Sequence, residues 1–410
     1  MFFYICEKLM MTHKWYFLEI SLLLIIVSYI FYVFAVQKQI QRENGFGWDG
    51  VFYNAMYQKF KGNGEELYKS KDSLYNKTYN DLTKEDPFNK RIAVPFIASK
   101  MPFSEVSSFK IINLIGFFSG LILLFIKWSK ESLIITLIFS FYIIVTPQIA
   151  FKGAVFYPVY VDGAQFFFLS LMVYFFDNPK YIFFISILFL PFKETAVPLS
   201  CIYFGCRILW ERSLKYLTYI VLSLLVYLFY LKFLSSYLDI PSQSNSLKVL
   251  KNYMKYYFTD FRNLIRMAAC FFMAFSYFVF VKRKFTVKTL FFICLVSLLA
   301  LSGSDTTRIF LIALPFLLDE LVETKQNNNV ILYGAMLLFS LPYKFVFTEL
   351  KFNDFNKVGE GFFITNLEYR PLSESLFFLL YFLVSSIVLL LLKNILKKGY
   401  IKITHTNIIR

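Results

Sequence analysis

The feature that most constrains this chain is the recurrence of apolar runs from one end to the other. Each is about 15–22 residues long, the length an α-helix needs to cross about 30 Å of hydrocarbon. Lipid offers no hydrogen bonds to a backbone, so runs of this kind must satisfy their own peptide groups as helices. Hydrophobic residues make up 58% of the 410 residues and charged residues only 17%, whereas a soluble chain carries about 25% charge. The expected fold class is an all-α polytopic integral membrane protein, one transmembrane domain over 1–410 with about ten transmembrane helices.

The charges between the runs orient them. A net charge of +16 invites a nucleic-acid reading, but the cations cluster in short connections between apolar runs. They are Lys127 and Lys130; Arg207, Arg212 and Lys215; Lys282, Arg283, Lys284 and Lys288; and Lys393, Lys397 and Lys398. That is the positive-inside pattern, so the partner it implies is a lipid bilayer and not nucleic acid. The first apolar run, 15–36, is too long for a signal-peptide core and reads as a first helix with a cytoplasmic N-terminus. Short basic loops then fall on the cytoplasmic face, and the longer polar stretches 37–106, 236–264 and 342–371 on the outer face. Segment 181–210 breaks the rhythm. Its two short apolar halves meet at Pro191-Phe192-Lys193-Glu194-Thr195, which makes them a re-entrant pair if both ends are cytoplasmic.

Charged residues near lipid need a reason. Asp49, in Gly47-Trp48-Asp49-Gly50, could act as a general base beside the membrane surface or start the following helix as a cap. Trp48 suits the membrane–water interface. Arg91 closes Asp86-Pro87-Phe88-Asn89-Lys90-Arg91, where it could clamp a phosphate or snorkel to headgroups. Asp162 lies among Phe, Leu and Tyr residues; inside a bilayer an acid costs about 2.5–3.5 kcal/mol, so it should face a cavity or a partner. Lys193 and Glu194 pair opposite charges at the re-entrant turn, and Asp305 and Arg308 are spaced to meet on a helical turn. Both couples read equally well as structural ion pairs. All these sites fall on the outer half of the expected topology, and their convergence on one cavity is the expectation. The two histidines are near the termini, and a Walker loop, a GxGxxG following a strand, and HExxH and GxSxG motifs are missing, which argues against the chemistries those motifs serve.

The acid soon after the first helix, in Gly47-Trp48-Asp49-Gly50 with Tyr53, resembles the first extracytoplasmic loop of GT-C fold glycosyltransferases. Lys90-Arg91-Ile92-Ala93-Val94-Pro95, Asp162-Gly163, Lys193-Glu194-Thr195 and Asp305-Thr306-Thr307-Arg308 resemble patches that recur in bacterial members. The re-entrant pair is similar to the topology of serotype-converting O-antigen glucosyltransferases. The resemblance implies a bacterial inner-membrane enzyme with its site facing the periplasm or outside. It would transfer a hexose such as glucose from a polyprenyl-phosphate sugar to a glycan or lipid-linked glycan. By the same resemblance, Asp49 is the catalytic base of an inverting displacement, and Arg91, Lys152, Lys193 and Arg308 bind the donor phosphate. Trp48, Tyr53, Asp86, Asp162, Glu194 and Asp305 then line the substrate cavity. No cofactor is expected, and no metal, because the paired-acid DxD form is missing. The alternatives are an O-antigen polymerase or ligase and, outside enzymes, a polysaccharide or lipid transporter or flippase, commonly built from two repeated halves.

Overall fold

A computed structural model of the protein describes residues 19–35, 39, 42–69, 76–86, 88–145, 150–240, 272–281, 284–300, 312–323, 330–345 and 372–408. Among them the regular structure is helical, with one isolated bridge between Leu67 and Thr78. The chain divides into two compact units, Met1–Val249 with Ile293–Leu295, and Leu250–Phe292 with Val296–Arg410.

The first unit opens with α1 (Glu19–Ala35). The polar stretch that follows carries helices of its own: α2 (Gly47–Lys61), α3 (Tyr79–Leu82) and α4 (Ala93–Ser99). They are followed by α5 (Glu105–Trp128), α6 (Leu133–Val145), α7 (Ala150–Phe156), α8 (Asp162–Tyr174), α9 (Pro179–Phe189), α10 (Ala196–Glu211) and α11 (Lys215–Tyr237). Helices α5 and α11 are each long and apolar enough to cross a membrane. Their solvent-facing residues are themselves apolar, among them Ile115, Ile122 and Ile126 on α5 and Leu228 and Phe229 on α11. Water penalises such a surface and lipid does not.

Helices α5 and α8 run parallel in close contact. Asn113 on α5 meets Gly163 at the start of α8, and Lys127 near the other end donates to the carbonyl of Val173 at 2.7 Å. Small residues allow the approach. A Cβ on Gly163 would lie 2.1 Å from the Asn113 carbonyl oxygen, and one on Gly116 would lie 2.7 Å from that of Gly163. Gly116 and Gly120 form the small-xxx-small spacing that lets helix backbones pack closely in lipid. Helices α9 and α10 form a hairpin beside α8. Phe189 stacks on Phe168 at 5.1 Å on the way up, and Tyr203 donates to the Phe176 carbonyl at 2.6 Å on the way down. The turn between them therefore lies at the N-terminal end of α8.

The stretch 151–158 is largely occupied by α7. Phe151 is fully buried against Phe117 and Phe118, so packing holds this apolar segment in a helix. In the second unit, α12 (Phe272–Ser276) runs into a π-helical turn, Tyr277–Val281, and is followed by α13 (Val287–Ala300), α14 (Leu314–Glu323), α15 (Val330–Phe345) and α16 (Leu372–Ile408). Within α16, Leu379–Leu396 is the third described segment long and apolar enough to span.

Candidate functional site

Helix α2 brings the first acid into place. The chain enters it through Gly47, whose φ of 71° is strained for other residues. Its N-cap is Phe46, with no side-chain capping bond. Asp49 is in the first turn and does not cap the helix; its Oδ2 accepts a hydrogen bond from the Tyr160 hydroxyl at 3.0 Å. The neighbouring Gly50 makes this possible, because a Cβ there would lie 2.9 Å from the Val159 carbonyl oxygen. One turn further along α2, Tyr53 is buried edge-on to Tyr160, with ring centres 6.0 Å apart.

The Tyr53 hydroxyl accepts from Arg91 Nη1 at 2.7 Å. The same guanidinium grips Glu194 with a fork, Nε to Oε2 at 2.8 Å and Nη2 to Oε1 at 2.5 Å. It also lies over the Phe88 ring, 5.4 Å from its centre. Arg91 is only 7% exposed, so its side chain is held inside the protein and does not snorkel. Burial alone would weaken its charge, but Glu194 and the Tyr53 hydroxyl more than offset that and hold its pKa well above the ordinary value. Burial pushes the Tyr53 phenol well above the usual tyrosine range; Arg91 opposes that shift, while the fields of Asp49 and Asp162 add to it.

Lys193 and Glu194 occupy the turn between α9 and α10, yet they do not bond to each other. Glu194 takes Arg91, while Lys193 Nζ donates to Asp162 Oδ1 at 2.9 Å and also to Gln165 Oε1. Adjacent side chains in a tight turn diverge, so each finds its partner on a different element. The turn is pinned by a backbone bond from Ala93 N to the Pro191 carbonyl at 2.9 Å. Nearby, Lys90 pairs with Asp86 one helical turn earlier, and its carbonyl accepts from Tyr230 of α11 at 2.6 Å.

Asn113 braces the assembly from within α5. Its Nδ2 donates to the carbonyls of Pro158 at 3.2 Å and Tyr160 at 2.8 Å, and its Oδ1 accepts from Gly163 N at 3.0 Å. One buried amide thus fixes the segment that carries both Tyr160 and Asp162. Of the residues singled out in the sequence, Asp49, Tyr53, Asp86, Arg91, Asp162, Lys193 and Glu194 gather at one end of the first unit. The side chains of Trp48 and Lys152, and the whole of Asp305 and Arg308, lie outside the described residues.

The residues not anticipated are Asn113, Tyr160 and Gln165. The available signal was a polar residue inside an apolar run, which in a membrane helix marks a contact. A second charged cluster, inside the second unit, was also not anticipated. Lys288 on α13 donates to Asp319 at 2.7 Å and to Glu323, both on α14. Beside it Glu320 accepts from Tyr277 at 2.6 Å and from Thr286 at 3.1 Å. The sequence assigns Lys288 to the cations of a cytoplasmic loop, and the acids that hold it, Asp319 and Glu323, are 31 and 35 residues away.

Chemically, the first cluster sets a partly exposed carboxylate beside a fixed guanidinium and an ammonium. Such a group can take a proton from a hydroxyl and stabilise an anion. No protein-family model matches the chain, and neither a curated protein nor a solved structure matches it.

Proposed function

We propose that the protein is a GT-C-like membrane glycosyltransferase that moves a hexose from a polyprenyl-phosphate sugar to a lipid-linked or cell-surface glycan. The observation that supports this reading is the convergence of Asp49, Arg91, Lys193 and Asp162, distant in sequence, at one end of the first unit. Asp49 takes the proton of the acceptor hydroxyl, whose oxygen attacks the anomeric carbon. The bond from that carbon to the lipid-phosphate oxygen breaks, the electron pair leaves with the phosphate, and the anomeric configuration inverts. The departing phosphate needs preorganised positive charge more than a proton. Lys193 and Arg91 supply it from the turn and the loop, each steadied by its own carboxylate. Lys152 and Arg308 are further candidates for the same task, and Trp48, Tyr53, Asp86, Asp162, Glu194 and Asp305 for the cavity wall.

In this reading the chain crosses a bacterial inner membrane about ten times, with 181–210 re-entrant and the cluster facing outward. The test is transfer of sugar from a polyprenyl-phosphate donor in membranes, parent against Asp49→Asn. The parent should transfer sugar, and the variant should lose at least roughly a hundredfold, the scale of a lost general base. Near-normal transfer by a folded Asp49→Asn would remove that residue from the mechanism.

A second reading, ion-coupled transport of a lipid or glycan, draws on the Lys288–Asp319–Glu323 group, because buried acids between apolar helices also mark ion paths. Substrate flux into proteoliposomes without glycosyl transfer would favour it.

A further inference from the structure

We infer that α4 and residues 100–103 form an interfacial membrane anchor, an apolar foot that sits in the headgroup layer of an anionic bilayer. The inference begins with the length of α5. Its 24 residues make a helix about 36 Å long, more than the roughly 30 Å of hydrocarbon it would cross. Its first turns carry Glu105, Ser107, Ser108 and Lys110, so this end belongs at the membrane–water boundary. Phe103 precedes the helix by two residues and must lie at the same level.

The exposed surface there is apolar. Phe96, Ile97 and Phe103 are 47%, 41% and 50% exposed, while Val94, Pro95 and Ala98 on the other side of α4 are buried. A short helix that turns one apolar side to its own protein and another outward has the composition of an interfacial segment, not of a water-facing one. Phe96 is held in place by Phe60 of α2, edge-on with ring centres 5.3 Å apart. The exposed Lys100 sets its ammonium 5.5 Å from the centre of the Phe96 ring. A lysine laid along an aromatic residue at this level can reach lipid phosphates with its head. The outward apolar residues also continue onto the exposed face of α5 at Ile115, Ile122 and Ile126, which commits the occupant to lipid.

The anchor bears on the charged cluster. Ala93, the first residue of α4, is bonded to Pro191 in the turn that carries Lys193 and Glu194, and Arg91 lies two residues before it. The depth of the foot therefore sets the depth of the Arg91–Glu194 pair relative to the phosphate plane. This inference stands whether or not the protein transfers sugar.

The experiment places p-benzoylphenylalanine at position 96 or 103 of the full chain, in nanodiscs of phosphatidylethanolamine and phosphatidylglycerol, and identifies photoadducts by mass spectrometry. Position 122 on α5 serves as the lipid-facing reference, and Leu67, exposed among the charged residues Glu65, Glu66 and Lys69, as the reference in polar surroundings. Each variant is first shown to elute and melt as the parent does. Lipid adducts at 96 and 103 at a yield near that of 122, and several-fold above that of 67, are expected. A yield at 96 and 103 no higher than at 67, or cross-linking there to a second copy of the chain, overturns the anchor. Phe103→Trp gives an independent reading: brominated lipids should quench its added fluorescence, and an unquenched increment would likewise refute the proposal.

Discussion

The two units each place charge among apolar helices, and they do it in opposite ways. In the first, the charged groups come from loops, a turn and helix starts, and each cation has a carboxylate of its own: Lys90 with Asp86, Arg91 with Glu194, Lys193 with Asp162. In the second, all the acids lie on one helix, α14, and Lys288 is shared by two of them. Glu320 beside them is held by Tyr277 and Thr286. Access differs as well: in the first cluster Asp162 and Glu194 are both partly open, at 16% and 19% side-chain exposure, whereas in the second Asp319 is shut in at 3% and Glu323 opens outward at 48%. A site that meets a substrate needs access at each of its charges, whereas the buried Lys288–Asp319 pair mainly joins α13 to α14. The contrast directs the functional reading to the first cluster and a structural one to the second.

The largest effect that could break this contrast is at Lys288. Lys288→Met removes the ammonium paired with the buried Asp319 and should destabilise the protein by about 3–5 kcal/mol, read as a fall in melting temperature in detergent. Adding Asp319→Asn should recover most of it; an unaffected single variant would mean the second cluster is not structural. Next comes Gly163→Ala, which puts a methyl into the α5–α8 contact at 2.1 Å from the Asn113 carbonyl. The cost should be about 1–3 kcal/mol, and sugar transfer should fall with it, because the same contact aligns Tyr160 and Asp162. The smallest change in stability belongs to Tyr160→Phe, at about 1 kcal/mol or less for one partly exposed hydrogen bond. Transfer should nevertheless drop, since Asp49 loses the hydroxyl that orients it. A Tyr160→Phe protein that transfers at the parental rate would detach the first cluster from catalysis.

Much of this layout was legible in the residues. The end of the polar stretch near 106, where α5 begins at Glu105, and the break at 191–195 appear at nearly the same places in the structure, because the onset of an apolar run and a turn rich in charge are local properties. Asp49, Arg91, Asp162, Lys193 and Glu194 were legible as charges that needed a reason. Their partners were not. Lys193 and Glu194 looked like a pair because they are adjacent, yet each reaches a different element. Tyr160 and Asn113 were missed because an isolated tyrosine or asparagine in a membrane chain has many uses, and only its neighbours select one. The acids of α14 were hidden for the same reason: their lysine is 31 residues away from Asp319.

What the sequence by itself determined is the class of the molecule, helices with apolar surfaces fit for lipid and charges confined near their ends. The physical reason is that lipid penalises open backbone groups and lone charges wherever they occur, so composition and run length suffice. The tertiary structure alone decided which charge answers which. Arg91 meets Glu194 across 103 residues, and Tyr160 meets Asp49 across 111. Ion pairs and hydrogen bonds depend on a few ångströms of separation and on direction, and those are set by how α2, α5, α8 and the α9–α10 turn pack.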